Sequence, residues 1–264
     1  MPTISSRSPK IYYETSGNGP AVVLLHGFLC DGSLFRHQVA ALQTSYRLLN
    51  IDLRGHGRSG PAEGPFSVYD LVDDVCAVLD AEAVGSAVWV GLSLGGFVAL
   101  RAALTQPRRV RALVLMGTEA GAQSGLKKMQ DWGLKLALKT VGPKPVVPAV
   151  LSAMLGKTSM RTKPALVEEY RRQFLAMRVD SVCLGIDAAM QRDDLVGHLQ
   201  AIRCPTLVLV GDEDVPLPIA RSTLICDGIT GATLGVIAGA GHLSAIEQPT
   251  AVNEEMRLFM ARLA

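Results

Sequence analysis

Short apolar runs bounded by Gly, Pro or Asp recur along this chain and constrain its fold more than any other feature. Their length and β-branched composition are typical of strands buried on both faces of a parallel sheet. Five runs are strong and a sixth is weak: AVVLLHG (21–27), RLLNIDL (47–53), AVWVGLS (87–93), RALVLMG (111–117), PTLVLVG (205–211) and, last, ATLGVIAG (232–239). A further segment, KIYYETS (10–16), alternates in the manner of an edge strand.

Between the runs, apolar residues recur with helical spacing. The clearest examples are SVYDLVDDVCAVLDA (67–81), FVALRAALTQP (97–107) and the C-terminal AVNEEMRLFMARLA (251–264). Strands that alternate with helices predict the α/β class, with a mostly parallel central sheet and helices on both of its faces.

The alternation lapses between about residues 119 and 193. This stretch has helical patterns that break around GPKPVVP (142–148), and the strand rhythm resumes only at Pro205. We therefore predict a helical cap at 119–193, inserted between a first core segment (1–118) and a second core segment (194–264).

Charge and cysteine usage narrow the function classes. The formal net charge is +2, and no basic stripe is interleaved with aromatic residues, so a nucleic-acid partner is not expected. The five cysteines are scattered without a C-x-x-C pair, which argues against a disulfide framework and a zinc site. The sequence starts without the apolar stretch of a signal peptide, and its apolar runs end well before about 18 residues. We expect a cytoplasmic monomer or homodimer that acts on a small molecule and does not associate with membranes.

One serine, Ser93, stands between two glycines in GLSLG (91–95), directly after the apolar run AVWV and directly before a helical pattern. Strand, sharp turn and helix are the setting of a nucleophile elbow, in which glycines relieve crowding and the hydroxyl projects at the carboxyl end of the sheet. The alternative interpretation is that Ser93 caps the helix and the glycines only permit close packing.

A serine nucleophile needs a base and an orienting carboxylate. His242 lies in the glycine-rich segment GAGHLSAIEQP, just past the last predicted strand. Asp214 is our candidate for the carboxylate because it lies farther out in its loop than Asp212, whose side chain suits the turn itself. Glu119 is a weaker candidate, and a surface histidine beside an exposed acidic loop is the alternative interpretation.

With Ser93, Asp214 and His242 in that order, the chain resembles the serine-nucleophile branch of the α/β-hydrolase superfamily. Two further segments, LLHGFLCD (24–31) and NIDLRGHGRSG (50–60), are similar to family motifs that follow neighbouring strands. Haloalkane dehalogenases and epoxide hydrolases carry an aspartate in place of this serine, so the resemblance does not extend to them.

The resemblance also implies roles for residues outside the triad. The backbone N–H groups of Phe28 and Leu94 are expected to form the oxyanion hole, at the carboxyl ends of neighbouring strands. His26 and His56 are expected to brace their loops rather than take part in chemistry. Neither a metal ion nor an organic cofactor is expected.

Within the superfamily, the chain is most similar to 3-oxoadipate enol-lactonases and small carboxylesterases. That similarity implies hydrolysis of a small ester or lactone through an acyl-enzyme on Ser93. Cofactor-free haloperoxidases or perhydrolases, carbon–carbon bond hydrolases and ligand receptors that retain the triad remain as alternatives.

Apolar residues of the predicted cap are candidates for the substrate pocket. From the candidates Met129, Trp132, Met154, Met160, Phe174, Met177 and Met190 we single out Met129, Trp132, Phe174 and Met177. These residues give an adaptable lining if they face inward, although such residues also suit a plain core. For an anionic substrate, Arg178 or Arg192 is a candidate partner; alternatively, both are ordinary solvated charges.

Overall fold

An eight-stranded sheet runs through the protein, in a computed structural model that describes residues 3–4 and 9–263. The strands are β1 (Thr3–Ile4), β2 (Ile11–Ser16), β3 (Ala21–Leu25), β4 (Arg47–Asp52), β5 (Ala87–Leu92), β6 (Val110–Met116), β7 (Thr206–Gly211) and β8 (Thr233–Ile237). They lie side by side in the order β1-β2-β4-β3-β5-β6-β7-β8. Strands β3 to β8 are parallel, whereas β1 and β2 are antiparallel to their neighbours. The predicted α/β class with a mostly parallel sheet is confirmed.

The six apolar runs form the parallel part of this sheet, β3 to β8. Strands β5 and β7 are buried at every position, as continuous apolar runs predict. Strand β8 lies at the edge and is largely exposed, which explains its weaker pattern. Strand β2 is not the edge strand that its alternation predicts, because the two-residue β1 pairs with its outer side. A strand as short as β1 leaves no periodic pattern in a sequence.

Helices cover both faces of the sheet. Those outside the segment between β6 and β7 are α1 (Arg36–Leu42), α2 (Val68–Ala81), α3 (Leu94–Thr105), α9 (Ile219–Gly228), α10 (Ser244–Glu247) and α11 (Pro249–Met260), with 3-10 helices at Gly32–Phe35, Pro107–Arg109, Val196–Ala201 and Ala261–Leu263. On β3, Val23 packs in a cluster with α2 and α3, whereas Val22 and Leu24 pack with α1 and α11 on the other face. The predicted helices at 67–81, 97–107 and 251–264 correspond to α2, α3 and α11, and residue 264 lies outside the described residues.

Five helices lie between β6 and β7, where the sequence alternation lapses. They are α4 (Gly125–Thr140), α5 (Val147–Met154), α6 (Lys157–Thr162), α7 (Pro164–Leu175) and α8 (Val179–Met190), and we call them the helical insertion. The insertion contacts the rest of the protein at two places: Arg36, at the start of α1, forms a bidentate ion pair with Glu169 at 2.8 and 2.9 Å, and His242 N, in the loop after β8, donates to Met154 O at 3.1 Å. Among the helices that the structure describes, none has both the length and the apolar character needed to cross a membrane.

Candidate active site

Ser93 occupies the turn between β5 and α3 in a strained backbone conformation. Its φ of 52° and ψ of −109° lie where residues other than glycine are rarely found. The glycines beside it are needed for space: a Cβ at Gly91 would lie 2.3 Å from the carbonyl carbon of Gly95, and one at Gly95 would lie 2.0 Å from Leu25 O. Ser93 makes no side-chain capping hydrogen bond to α3, so the helix-cap interpretation fails.

Backbone hydrogen bonds hold this strained turn on both sides. Ser93 N donates to Met116 O in β6 at 2.9 Å, and the hydroxyl of Thr118 donates to Ser93 O at 2.9 Å. Because β6 and the residue two positions after it supply these contacts, the position of Ser93 is fixed by the sheet as well as by its own helix.

His242 and Asp214 form a buried hydrogen-bonded pair. Nδ1 of His242 lies 2.9 Å from Oδ2 and 3.1 Å from Oδ1 of Asp214, and both residues are buried. Oδ1 also accepts a hydrogen bond from Leu217 N at 2.9 Å, which fixes the carboxylate in its loop. Because a carboxylate accepts from Nδ1–H, the tautomer that results leaves Nε2 of the ring available as a base.

The other candidate carboxylates have different partners. Asp212 accepts a hydrogen bond at 2.8 Å from a backbone amide of the loop after β8, so it braces the turn as its position predicts. Glu119 forms an ion pair with Arg192. Among the three candidates, Asp214 is the one that contacts His242.

A buried glutamate that the sequence analysis overlooked holds the segment around His242. Glu247 is fully buried, and its carboxylate accepts hydrogen bonds from Gly241 N at 3.0 Å, Leu243 N at 3.1 Å and Gly156 N at 2.8 Å. The first two amides flank His242, and the third belongs to the helical insertion. The signal was an acidic residue in the same segment as His242, which sequence reasoning treated as part of an ordinary loop.

A cavity of about 210 Å³ joins Ser93 to His242. Phe28 and Leu94, the two residues expected to supply the oxyanion hole, line the same cavity. Within the part of the chain that the structure describes, neither of their backbone N–H groups donates to a protein acceptor. A Cβ at Gly27 would lie 3.4 Å from the Cβ of Ser93, so the loop that carries Phe28 lies directly against the serine turn.

One end of this cavity is polar. Arg192 is buried there and forms an ion pair with Glu119, and its guanidinium carbon lies 4.5 Å from the centre of the Phe97 ring. Burial lowers the pKa of Arg192, although Glu119 opposes the shift. Gln123 donates to Asp131 beside this pair. The positive charge of Arg192 is therefore already balanced by the protein, and Arg192 is not one of the solvated charges that the sequence allowed.

The structure places the four predicted pocket residues outside the wall of this cavity. Met129 and Trp132 are 64 % and 60 % exposed on the outer face of α4. Phe174 is fully buried against Tyr170. Met177 lines a separate, larger cavity of about 790 Å³, together with Arg178.

Other apolar residues of the insertion take their place. The cavity wall contains Leu134, Val150, Ala153, Met154, Ile186 and Ala189. Of these, Met154 belongs to the wider set of sequence candidates. The reason for the difference is that α4 carries apolar residues on two faces, and periodicity alone does not say which face points inward.

His26 and His56 lie in the loops that follow β3 and β4. Nε2 of His26 accepts from Leu53 N at 2.9 Å, and Nδ1 of His56 donates to Arg54 O at 3.0 Å. Burial, with a smaller contribution from His26, lowers the pKa of His56 to about 3. Burial also lowers the pKa of His26, so both rings brace loops in the neutral form. Within the described residues, no group of His, Cys, Asp or Glu side chains is arranged to hold a metal ion.

Comparisons with known proteins agree with this architecture. A family model described as the alpha/beta hydrolase fold matches residues 20–249. The chain is 26 % identical over 263 residues to 3-oxoadipate enol-lactonase 2 of Acinetobacter baylyi, covering 98 % of this chain and 96 % of that protein.

Two solved structures are also similar. A thermophilic esterase from Thermogutta terrifontis has a TM-score of 0.92 and 28 % identity, covering 99 % of this chain and 97 % of that one. The enol-lactonase from Burkholderia xenovorans LB400 has a TM-score of 0.92 and 26 % identity, covering 98 % of this chain and 100 % of that one. These relatives are hydrolases, and the protein belongs to the α/β-hydrolase family.

Proposed function

We propose that the protein is a serine hydrolase that cleaves a small carboxylic ester or lactone through an acyl-enzyme on Ser93. One observation carries the proposal. Ser93 and His242 line the same cavity, while Asp214 binds the Nδ1 side of the histidine ring from outside that cavity. This arrangement supports a nucleophile, a base and a group that orients the base.

The reaction follows from these positions. Nε2 of His242 takes the proton of Ser93 Oγ as that oxygen attacks the carbonyl carbon, and Asp214 stays ionised and stabilises the imidazolium. The oxyanion accepts hydrogen bonds from Phe28 N and Leu94 N, and losing one such donor typically costs about 100- to 1,000-fold in kcat. The C–O bond then breaks, and the leaving oxygen takes the proton from His242. Water, deprotonated by the same ring, releases the acid and restores the serine.

The cavity supports a small and uncharged substrate. Its volume of about 210 Å³ lies below the range of roughly 300–1,000 Å³ that is typical of pockets for larger ligands. A substrate carboxylate would have to compete with Glu119 for Arg192, because that ion pair is already formed and buried. We therefore expect neutral esters and lactones to react faster than analogues of the same size that carry a carboxylate. The relatives named as an esterase and as enol-lactonases support the ester and lactone class.

A panel of esters and lactones, graded in size and charge, tests the proposal. The wild type is compared with Ser93→Ala, and the matched control is Ser222→Ala, which removes a hydroxyl that is also buried but lies in α9. A fluorophosphonate probe followed by intact mass measurement reports whether Ser93 is modified. We expect turnover and labelling that disappear in Ser93→Ala and persist in the control.

The alternatives give different results in the same experiment. Turnover that survives in Ser93→Ala, or a wild type that neither turns over nor becomes labelled, would overturn the proposal; the second result is what a ligand receptor would give. Halogenation or peracid formation that needs peroxide and a carboxylic acid, without ester cleavage, would indicate a perhydrolase. Cleavage of carbon–carbon substrates alone would indicate that class of hydrolase.

A further inference from the structure

The outer face of α4 carries an apolar stripe that belongs to neither hydrophobic core cluster of the described residues. Spacings of three and four residues put its members on one side of the helix. The stripe consists of Leu126, Met129, Trp132 and Leu136, which are 64 %, 64 %, 60 % and 48 % exposed. Val141, 62 % exposed, follows directly after the helix end. Contiguous apolar surface of this kind marks an interaction site more often than an isolated exposed side chain does.

The opposite face of the same helix is already in use. Leu138 is buried, and Leu134 and Asp131 line the cavity that contains Ser93. Packing of the core therefore does not account for the outer stripe, since the helix has a second apolar face for that purpose.

Lysines border the stripe and determine which partner fits it. Lys128 and Lys139 are exposed beside it, Lys144 is exposed just beyond the helix, and none of the three forms an ion pair among the described residues. The remaining two lysines of the helix, Lys127 and Lys135, have carboxylate partners. The free charge that α4 itself places beside the stripe is thus positive.

We propose that the outer face of α4 binds an anionic lipid surface. An amphipathic helix with Trp and Leu on one face, and with lysines at its border, lies in the plane of a membrane interface without crossing it. Tryptophan favours the level of the lipid headgroups, and lysines extend toward anionic phosphates. The low net charge and the short apolar runs of the chain predict no membrane association. The proposal differs from that prediction because both properties are averaged along the sequence and do not show a stripe on one face of a helix.

A second copy of the chain fits the same face less well. An antiparallel pairing of two α4 helices, stripe against stripe, would bring the lysine edges side by side. Asp131, the acidic residue of the helix, points inward and is bound to Lys127 and Gln123, so it is not free to neutralise them. An anionic surface supplies the charge that a second copy lacks.

The geometry also connects this surface to the cavity. One helix separates the outer stripe from the cavity wall, a distance of about 10 Å across an α-helix. A lipid surface bound to the stripe would therefore lie next to the site where a membrane-partitioned ester reacts. The inference concerns binding alone and holds or fails independently of the hydrolytic activity.

Sedimentation with lipid vesicles tests the proposal directly. We expect the wild type to sediment with vesicles of phosphatidylcholine and phosphatidylglycerol, to sediment much less with phosphatidylcholine alone, and to be released by salt. The double variant Lys128→Glu, Lys139→Glu should bind at least about tenfold more weakly. Its control, Lys10→Glu with Arg108→Glu, makes the same change in net charge at exposed positions elsewhere. The control leaves the stripe and its lysines unchanged and should bind vesicles as the wild type does.

A second pair of variants tests the apolar contribution. Leu136→Ala should weaken vesicle binding several-fold, whereas Leu258→Ala, at a similarly exposed leucine of α11, should not. Fluorescence gives an independent signal, because Trp89 is fully buried and Trp132 is exposed. We expect emission to shift to the blue on anionic vesicles, and Trp132→Phe should remove the shift.

Three results would overturn the proposal. The first is wild-type protein that does not sediment with anionic vesicles. The second is equal loss of binding in the α4 variants and in their controls. The third is a dimer in light scattering that Leu136→Ala dissociates, because the stripe would then be an interface between two copies of the chain.

Discussion

Replacing Gly95 by alanine tests whether close packing of the serine turn sets the catalytic geometry. The added methyl would lie 2.0 Å from Leu25 O and 2.8 Å from Leu25 Cβ, whereas ordinary contact begins near 3.4 Å. Strand β3 and helix α3 would therefore have to separate by roughly 1.4 Å, and the obstruction is backbone, which cannot rotate away. Overpacking of this kind typically costs about 1–3 kcal/mol of folding free energy.

The same displacement acts on the candidate active site. Ser93 precedes α3 directly, so a shift of the helix moves the serine relative to Phe28 N and His242. A misplacement of about 1 Å typically costs about 100-fold in rate. We expect Gly95→Ala to retain its fold and to lose at least about 100-fold in kcat/KM for the best ester of the panel.

Gly133 provides the control, because a Cβ at that position meets no atom within 4 Å. It lies inside α4, where alanine is favoured over glycine by roughly 0.5–1 kcal/mol. Steady-state kinetics and urea denaturation of both variants give the answer. A Gly95→Ala protein with wild-type kcat/KM would show that the tight contact does not position the serine, and the packing argument would have to be abandoned.

Three further predictions follow from the site. Asp214→Asn should lower kcat by about 10⁴-fold with little change in KM. Asp212→Asn removes a turn contact, and its kcat should stay within about tenfold of the wild-type value. Steady-state kinetics with one ester compares the two variants. Leu134→Ala should raise KM for small apolar esters by several-fold, while Trp132→Ala should leave it within about twofold, since only the first residue lines the cavity. The pKa of His56 in the folded protein, about 3, is depressed below its ordinary value of 6.5. Between these two pH values, the unfolded chain therefore binds one more proton at this residue than the folded protein does. Stability is therefore lost as pH falls through that window, and urea denaturation at several pH values should show a shallower loss in His56→Gln.

The sheet and the positions of Ser93, Asp214 and His242 could be predicted because their sequence signals are local and physical. Strands buried on both faces need continuous apolar runs, which is why β5 and β7 are evident in the sequence. The turn at Ser93 needs small neighbours on both sides, and the carboxyl ends of parallel strands bring Asp214 and His242 to one edge of the sheet.

The pocket could not be predicted for an equally physical reason. Helix α4 has one apolar face that lines the cavity and another that is exposed, and the two look alike in a one-dimensional pattern. The ion pair of Glu119 with Arg192 joins two ends of the helical insertion, so neither residue reveals its partner locally. Phe174 illustrates the third case, a large side chain that fills the core of the insertion itself.

The hydrogen bond from His242 N to Met154 O has a mechanical consequence for access to the cavity. The end of α5 and the amide of Gly156, which Glu247 binds, are anchored to the backbone around His242, the proposed general base. Lifting that end of the insertion would remove the contacts that hold His242, so an entrance opened there would admit substrate while the proposed base is displaced. An entrance that keeps these contacts would have to open elsewhere along the cavity, and α4 is one such wall, with the cavity on one face and the exposed stripe on the other.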